Sequence, residues 1–247
     1  MTKLQTSIDN AQLISGQFGD IEFGPWGIEC SDQDGFITLT DTTRNARYQD
    51  GIWHLPTGRL KIELHTKQID TNKIAIAATF TALDDMALQD AVIRLVFDKD
   101  AIKSGIINDQ VFVHTNSDKY RLYPTKQAQL VGVSGHCITV TLDATNGAAR
   151  FDPYLYLRDR DDLWVIHARL LPRDPVDQIW LRWANRFFTL SAPNPVARWV
   201  WQISPLKNLL WRMRERLGRR CPEIQAVPLN TLRKGQVLSL EVTCHFQ

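Results

Sequence analysis

A mainly β fold, a large antiparallel β-sandwich with a short helical insertion near the C-terminus, is predicted by three features of this 247-residue sequence. Short β-branched and aromatic runs separated by Gly, Pro, Asn and Asp follow one another over residues 20–172. The hydrophobic period then lengthens to three and four residues over 174–220, and strand-like alternation returns over 224–247. One domain, 1–247, accommodates all three parts, with 44% hydrophobic and 23% charged residues giving enough apolar mass for a core without staples.

Within the body, Arg59-Leu-Lys-Ile-Glu-Leu-His65 sends Leu60, Ile62 and Leu64 to one face and Lys61, Glu63 and His65 to the other, as a strand with one wet side requires. Phe36 to Thr40 and Val111 to His114 read the same way. Ile74 to Leu83 and Ala91 to Phe97 alternate less, as central strands covered on both sides would. Ser134-Gly135 between Leu130-Val133 and His136-Leu142 predicts a hairpin turn, and Asp159 to Asp162 predicts a charged turn between two further strands.

The insertion opens three times on a capping residue followed by proline, at Asp174-Pro175, Asn194-Pro195 and Ser204-Pro205. The third segment is the most helical: Leu206, Leu209, Leu210, Met213 and Leu217 form one stripe, and Gly218 with Pro222 marks its stop. At 1.5 Å per residue, Pro205 to Leu217 spans about 20 Å, long enough to lie on a bilayer and too short to cross one. Residues 196–220 hold seven cations, Arg198, Lys207, Arg212, Arg214, Arg216, Arg219 and Arg220, against Glu215 alone. Of the net charge of +2, this stretch carries +6 and the rest of the chain −4. Five of the eight tryptophans, including Trp211, also fall in the insertion.

An acidic body with one basic, tryptophan-bearing amphipathic helix points to an anionic partner surface, either an anionic lipid membrane or a protein. The alternative, that the leucine stripe packs on the sheet with its arginines solvated, stays open. Nucleic acid fits less well, because phosphate tracking needs a broad positive surface.

A second cluster lies in the body. On a strand, Tyr154, Tyr156 and Arg158 share one face, and across the charged turn Val165, His167 and Arg169 share one face of the next strand. Aromatic rings cover apolar faces and arginine makes forked hydrogen bonds, so such a wet face suits a carbohydrate or a carboxylate. Arg121 and Tyr123, with His114, are candidates to extend it. The expectation is that Tyr156, His167 and Arg169 face solvent in one concave groove.

No motif fixes a reaction. His114, His167 and Glu63 are eligible for acid–base work only as polar residues in strands. Gly132-Val-Ser-Gly-His136 begins like a nucleophile elbow but lacks the last glycine and the following helix. Cys30, Cys137, Cys221 and Cys244 are too dispersed for a zinc site or a disulfide framework, which indicates reduced thiols and no metal or other cofactor. Residues 1–19 lack a secretory apolar run, and no segment is long and apolar enough to span a membrane. These features together suggest a cytoplasmic protein, peripheral to the inner face of the membrane if the helix docks there. At the level of strand pattern alone, the chain resembles the supersandwich of aldose mutarotase-like and polysaccharide-lyase-like proteins. That resemblance implies a carbohydrate-binding or carbohydrate-active domain as the alternative to an accessory domain docked through its helix.

Overall fold

Residues 3–9, 13–32, 35–40, 46–115, 121–123, 125–143, 151–172, 203, 205, 209 and 229–247 are described by the structure, a computed structural model. Alternating apolar positions organise most of them into strands. The chain opens with β1 (Leu4–Ile8), β2 (Ile14–Phe18), β3 (Ile21–Phe23), β4 (Gly27–Asp32) and β5 (Gly35–Thr38). It continues with β6 (Arg47–Gln49), β7 (Ile52–Leu55), β8 (Gly58–Asp70), β9 (Lys73–Ala82), β10 (Met86–Leu88) and β11 (Asp90–Asp98). Next come β12 (Ile102–Ile107), β13 (Gln110–Phe112), β14 (Arg121–Tyr123), β15 (Gln127–Gly132) and β16 (Cys137–Asp143). The last four are β17 (Phe151–Arg160), β18 (Leu163–Pro172), β19 (Asn230–Leu232) and β20 (Val237–Phe246).

These strands form two nine-stranded antiparallel sheets and a two-stranded ribbon of β10 with β19. The first sheet runs β1-β2-β3-β11-β18-β17-β14, with β4 also paired to β11 and β5 to β4. The second runs β13-β12-β15-β16-β20-β9-β8-β7-β6. The predicted sandwich is therefore present. Its core lies where β11, β17 and β18 pack across β15, β16 and β20. Phe18 and Phe23 of the first sheet meet Phe246 of the second at ring-centroid distances of 5.5 and 5.1 Å. At Gly105 the two sheets approach closely: a side chain there would stand 2.6 Å from Leu157 and 3.0 Å from Trp164.

The alternation expected for β8 holds, with Leu60 and Ile62 buried and Lys61, Glu63 and His65 exposed. β11 is buried on both faces, as its weakly alternating apolar run implies, whereas β9 alternates between buried and half-buried positions. The turn at Ser134-Gly135 joins β15 to β16, with Gly135 at φ 92°, where only glycine is unstrained. Two details differ from the sequence reading. The sandwich begins at Leu4 rather than near residue 20, because Leu4, Ile14 and Phe18 are buried by pairing and packing rather than by a legible local period. The charged turn is shorter than expected, Asp161-Asp162, with Asp161 at φ 51° and Asp159 and Arg160 still in β17. β20 closes the domain at the middle of its sheet, between β16 and β9.

The predicted insertion lies outside the described residues except at Ile203, Pro205 and Leu209. Backbone at Pro205 and Leu209 is helical, and both are exposed. Arg198, Lys207, Trp211, Arg212, Arg214, Arg216, Arg219 and Arg220 lie outside the described residues, as does Cys221. Among the described residues, no helix is long and apolar enough to cross a membrane.

Because β20 is central, its inward leucines should dominate stability. Leu240→Ala should cost about 2–5 kcal/mol in urea unfolding, whereas Val111→Ala on the edge strand should stay within about 0.5 kcal/mol. Equal effects would contradict the strand order.

Candidate functional site

The short turn after Arg160 fixes the register of β17 on β18: Tyr154 stands opposite Arg169, Tyr156 opposite His167 and Arg158 opposite Val165. Side chains alternate along each strand, so all these residues share the face of the first sheet that points away from the core. β11 and β4 extend that face. Arg94 pairs with His167 and with Gly27, while Val92 pairs with Arg169 and with Glu29. β5 completes it, placing Thr38 opposite Glu29 and Phe36 opposite Ser31.

The expectation of a solvent-facing groove is corrected here. Tyr156, His167 and Arg169 do share one face, but at 3%, 4% and 2% exposure they are buried. Arg158 and Glu29 are buried beside them. Arg169 is held in place by an ion pair to Asp90. Its guanidinium lies between two rings, 4.9 Å from the centroid of Tyr156 and 5.4 Å from that of Phe36.

Beside this packed cluster the face opens into a cleft of about 400 Å³, lined by Glu29, Phe36, Thr38, Arg94, Arg158, Arg160, Asp161, Leu163 and His167. Glu29 Oε1 is 3.5 Å from Arg94 Nε, and Glu29 Oε2 is 3.7 Å from His167 Nε2. The His167 and Phe36 ring centroids are 6.1 Å apart. Asp161 lies at the mouth, 3.4 Å from Arg160 Nε. Burial, opposed by Arg94, pushes the Glu29 carboxyl up. Burial and then the positive field of Arg158, Arg94, Arg169 and Arg160 push His167 well below its ordinary value, so its imidazole is neutral at pH 7.

The other candidates fall elsewhere. Arg121 and Tyr123 pair with Leu157 and Leu155, one step out of phase with Tyr156 and Arg158. His114 packs on Trp164 at a centroid distance of 5.3 Å, with Nε2 3.1 Å from the Leu163 carbonyl oxygen. Glu63 bonds Lys61 on the exposed face of β8. Ser134 and His136 join Asp20 at the tip of the β15–β16 hairpin. Ser134 Oγ is 2.7 Å from His136 Nδ1 and 2.6 Å from Asp20 Oδ1, and that same Nδ1 is 3.1 Å from the same Asp20 oxygen. A relay needs the two ring nitrogens to serve different partners, so this exposed cluster is not a nucleophile site. Cys30, Cys137 and Cys244 form no disulfide among the described residues, and burial pushes the thiols of Cys137 and Cys244 up. Among the described residues, no three His, Cys, Asp or Glu side chains gather as metal ligands.

Glu29, Phe36, Asp90 and Arg94 were missed by the sequence reading. Asp90 and Arg94 carried a signal: each is a charge within or beside the apolar run Ala91-Val-Ile-Arg-Leu-Val-Phe97, and a charge in a buried strand demands a partner.

Fold and site together define an antiparallel β-sandwich with a buried, arginine-rich polar face. No protein-family model matches the chain, and no curated protein matches it in sequence. Among solved structures, the Slr1438 protein from Synechocystis sp. PCC 6803 is similar, with a TM-score of 0.45 and 9% identity over 100% of this chain and 92% of that one. A likeness at that level carries no argument about function, which rests on the geometry of the face itself.

The shifted groups give the stability of the fold a pH dependence of known sign. The unfolded chain protonates His167 near 6.5 and the folded chain does so only well below it. This contribution is present above 6.5 and is lost as pH falls through the lowered value. Glu29 acts oppositely: its contribution is present below 4.5 and is lost as pH rises through the raised value. His167→Gln should therefore reduce the stability lost between pH 7 and pH 5 in urea unfolding. A variant that loses as much as the parent chain would contradict a buried neutral imidazole.

Proposed function

We propose that the chain is a β-sandwich binding domain whose outer-face cleft takes a small anionic ligand, with a carboxylate or comparable oxyanion on Arg94, Arg158 and Arg160. The convergence of three guanidiniums from β11 and β17 on one cleft of about 400 Å³ carries this reading. Two carboxylates face them, and of these Glu29 is held toward its neutral form by burial while Asp161 lies at the mouth beside Arg160. Among the described lining residues the guanidiniums outnumber the carboxylates, in a partly desolvated place where charge-assisted hydrogen bonds to an oxyanion are strongest. Phe36 and Leu163 supply apolar wall for the body of the ligand.

The charge requirement is testable with two sugars of the same size. In calorimetric titration, D-glucuronate should bind and D-glucose should bind at least about tenfold more weakly, with added salt weakening only the former. Arg160→Gln, at the half-exposed rim, should weaken glucuronate roughly threefold to tenfold. Arg158→Gln should weaken it more, provided circular dichroism shows an intact fold. Equal binding of the two sugars, or indifference to both substitutions, would overturn the reading.

A second reading has its own observation. Leu209, on the predicted apolar stripe, is helical and 53% exposed, so this leucine is not packed away against the sheet. With Arg212, Arg214 and Arg216 nearby in sequence, the segment suits an anionic lipid surface. Vesicles rich in anionic lipid should carry the protein in flotation, salt should weaken the association, and Arg212→Glu with Arg216→Glu should abolish it. Flotation unchanged by that double substitution would exclude helix docking.

A further inference from the structure

In the anion-binding reading the arginines account for one end of a ligand, and two further buried polar groups, His167 and Glu29, line the same cleft. His167 lines the cleft at 4% exposure, and neither of its ring nitrogens has a hydrogen-bond partner among the described residues. A buried imidazole normally satisfies at least one nitrogen, because leaving a buried polar atom unmatched is costly. Glu29 stands beside it with Oε2 3.7 Å from Nε2, longer than a hydrogen bond, so neither group satisfies the other. Resting on the anion-binding reading above, we infer that the ligand is a polyhydroxylated carboxylate, a sugar acid, whose hydroxyls bond Glu29 and His167 while its carboxylate lies on the arginines.

The complementarity follows from the donor and acceptor inventory. A neutral imidazole offers one N–H donor and one acceptor nitrogen, and a carboxyl held toward its protonated form by burial can offer an O–H donor as well as acceptor oxygens. Hydroxyl groups both donate and accept, so neighbouring hydroxyls on one ring can serve Glu29 and either tautomer of His167. An apolar ring bearing the same carboxylate would reach the arginines but would leave the His167 nitrogens unmatched and away from water. Sites built to bond a hydroxyl reject analogues lacking it for that reason. The Phe36 ring, 6.1 Å from the His167 ring, offers apolar surface to the C–H face of such a ligand.

The test compares D-glucuronate with cyclohexanecarboxylate, two six-membered rings bearing one carboxylate and differing in their hydroxyls, by calorimetric titration of the full chain. Glucuronate should bind at least about tenfold more tightly. His167→Phe, which keeps the ring volume, and Glu29→Gln, which keeps the shape, should each narrow that ratio, while circular dichroism reports on folding. Equal affinities in the parent chain would overturn the sugar-acid inference and leave the anion-binding reading standing. A preference that survives both substitutions would overturn the assignment to this pair. Binding of neither carboxylate would overturn the anion-binding reading and this inference with it.

Discussion

Arg169 is the constraint around which the polar face is organised. A guanidinium cannot be deprotonated to escape burial, so a chain that places one at 2% exposure must surround it with compensation. Here Asp90 supplies the counter-charge from β11, and Phe36 and Tyr156 supply ring faces from β5 and β17. Three strands, two of them distant in sequence, are thereby committed to one geometry around a residue of β18. Because β11 is buried on its other face as well, any shift of this cluster would be transmitted to the core against Ile93, Leu95 and Phe97.

The cleft lies beside that arrangement. The rows around Arg169 leave Arg94, Arg158 and His167 on the same face, two or four residues further along their strands. There the face opens into the cleft. The two titratable groups at this edge are driven in opposite senses by the same burial, Glu29 toward its protonated form and His167 toward its neutral one. Both shifts disfavour the charged form of the group concerned, for the same reason, the loss of water around it.

Much of the architecture could be read from residue order. Alternation in β8, the hairpin at Ser134-Gly135 and the two-sided burial of β11 are local consequences of side-chain type and turn chemistry, and each appears where it was expected. The opening strands β1 and β2 were not legible, because their apolar residues are too sparse to show a period and are buried only by their neighbours. In the site, Tyr154, Tyr156, Arg158, His167 and Arg169 were legible as a group because a hairpin joins them. Glu29 and Phe36 were not, since they arrive through β4 and β5, more than a hundred residues earlier in the chain.

The sequence by itself determined that this protein is built of antiparallel strands and that a tyrosine, arginine and histidine set shares one sheet face, because period two and a short turn are properties of contiguous residues. Only the tertiary structure decided that this face is buried rather than wet, and that its partners are Asp90, Arg94, Glu29 and Phe36. Exposure and counter-charge depend on what the rest of the chain brings alongside, and strand order across a sheet is not written in any local stretch.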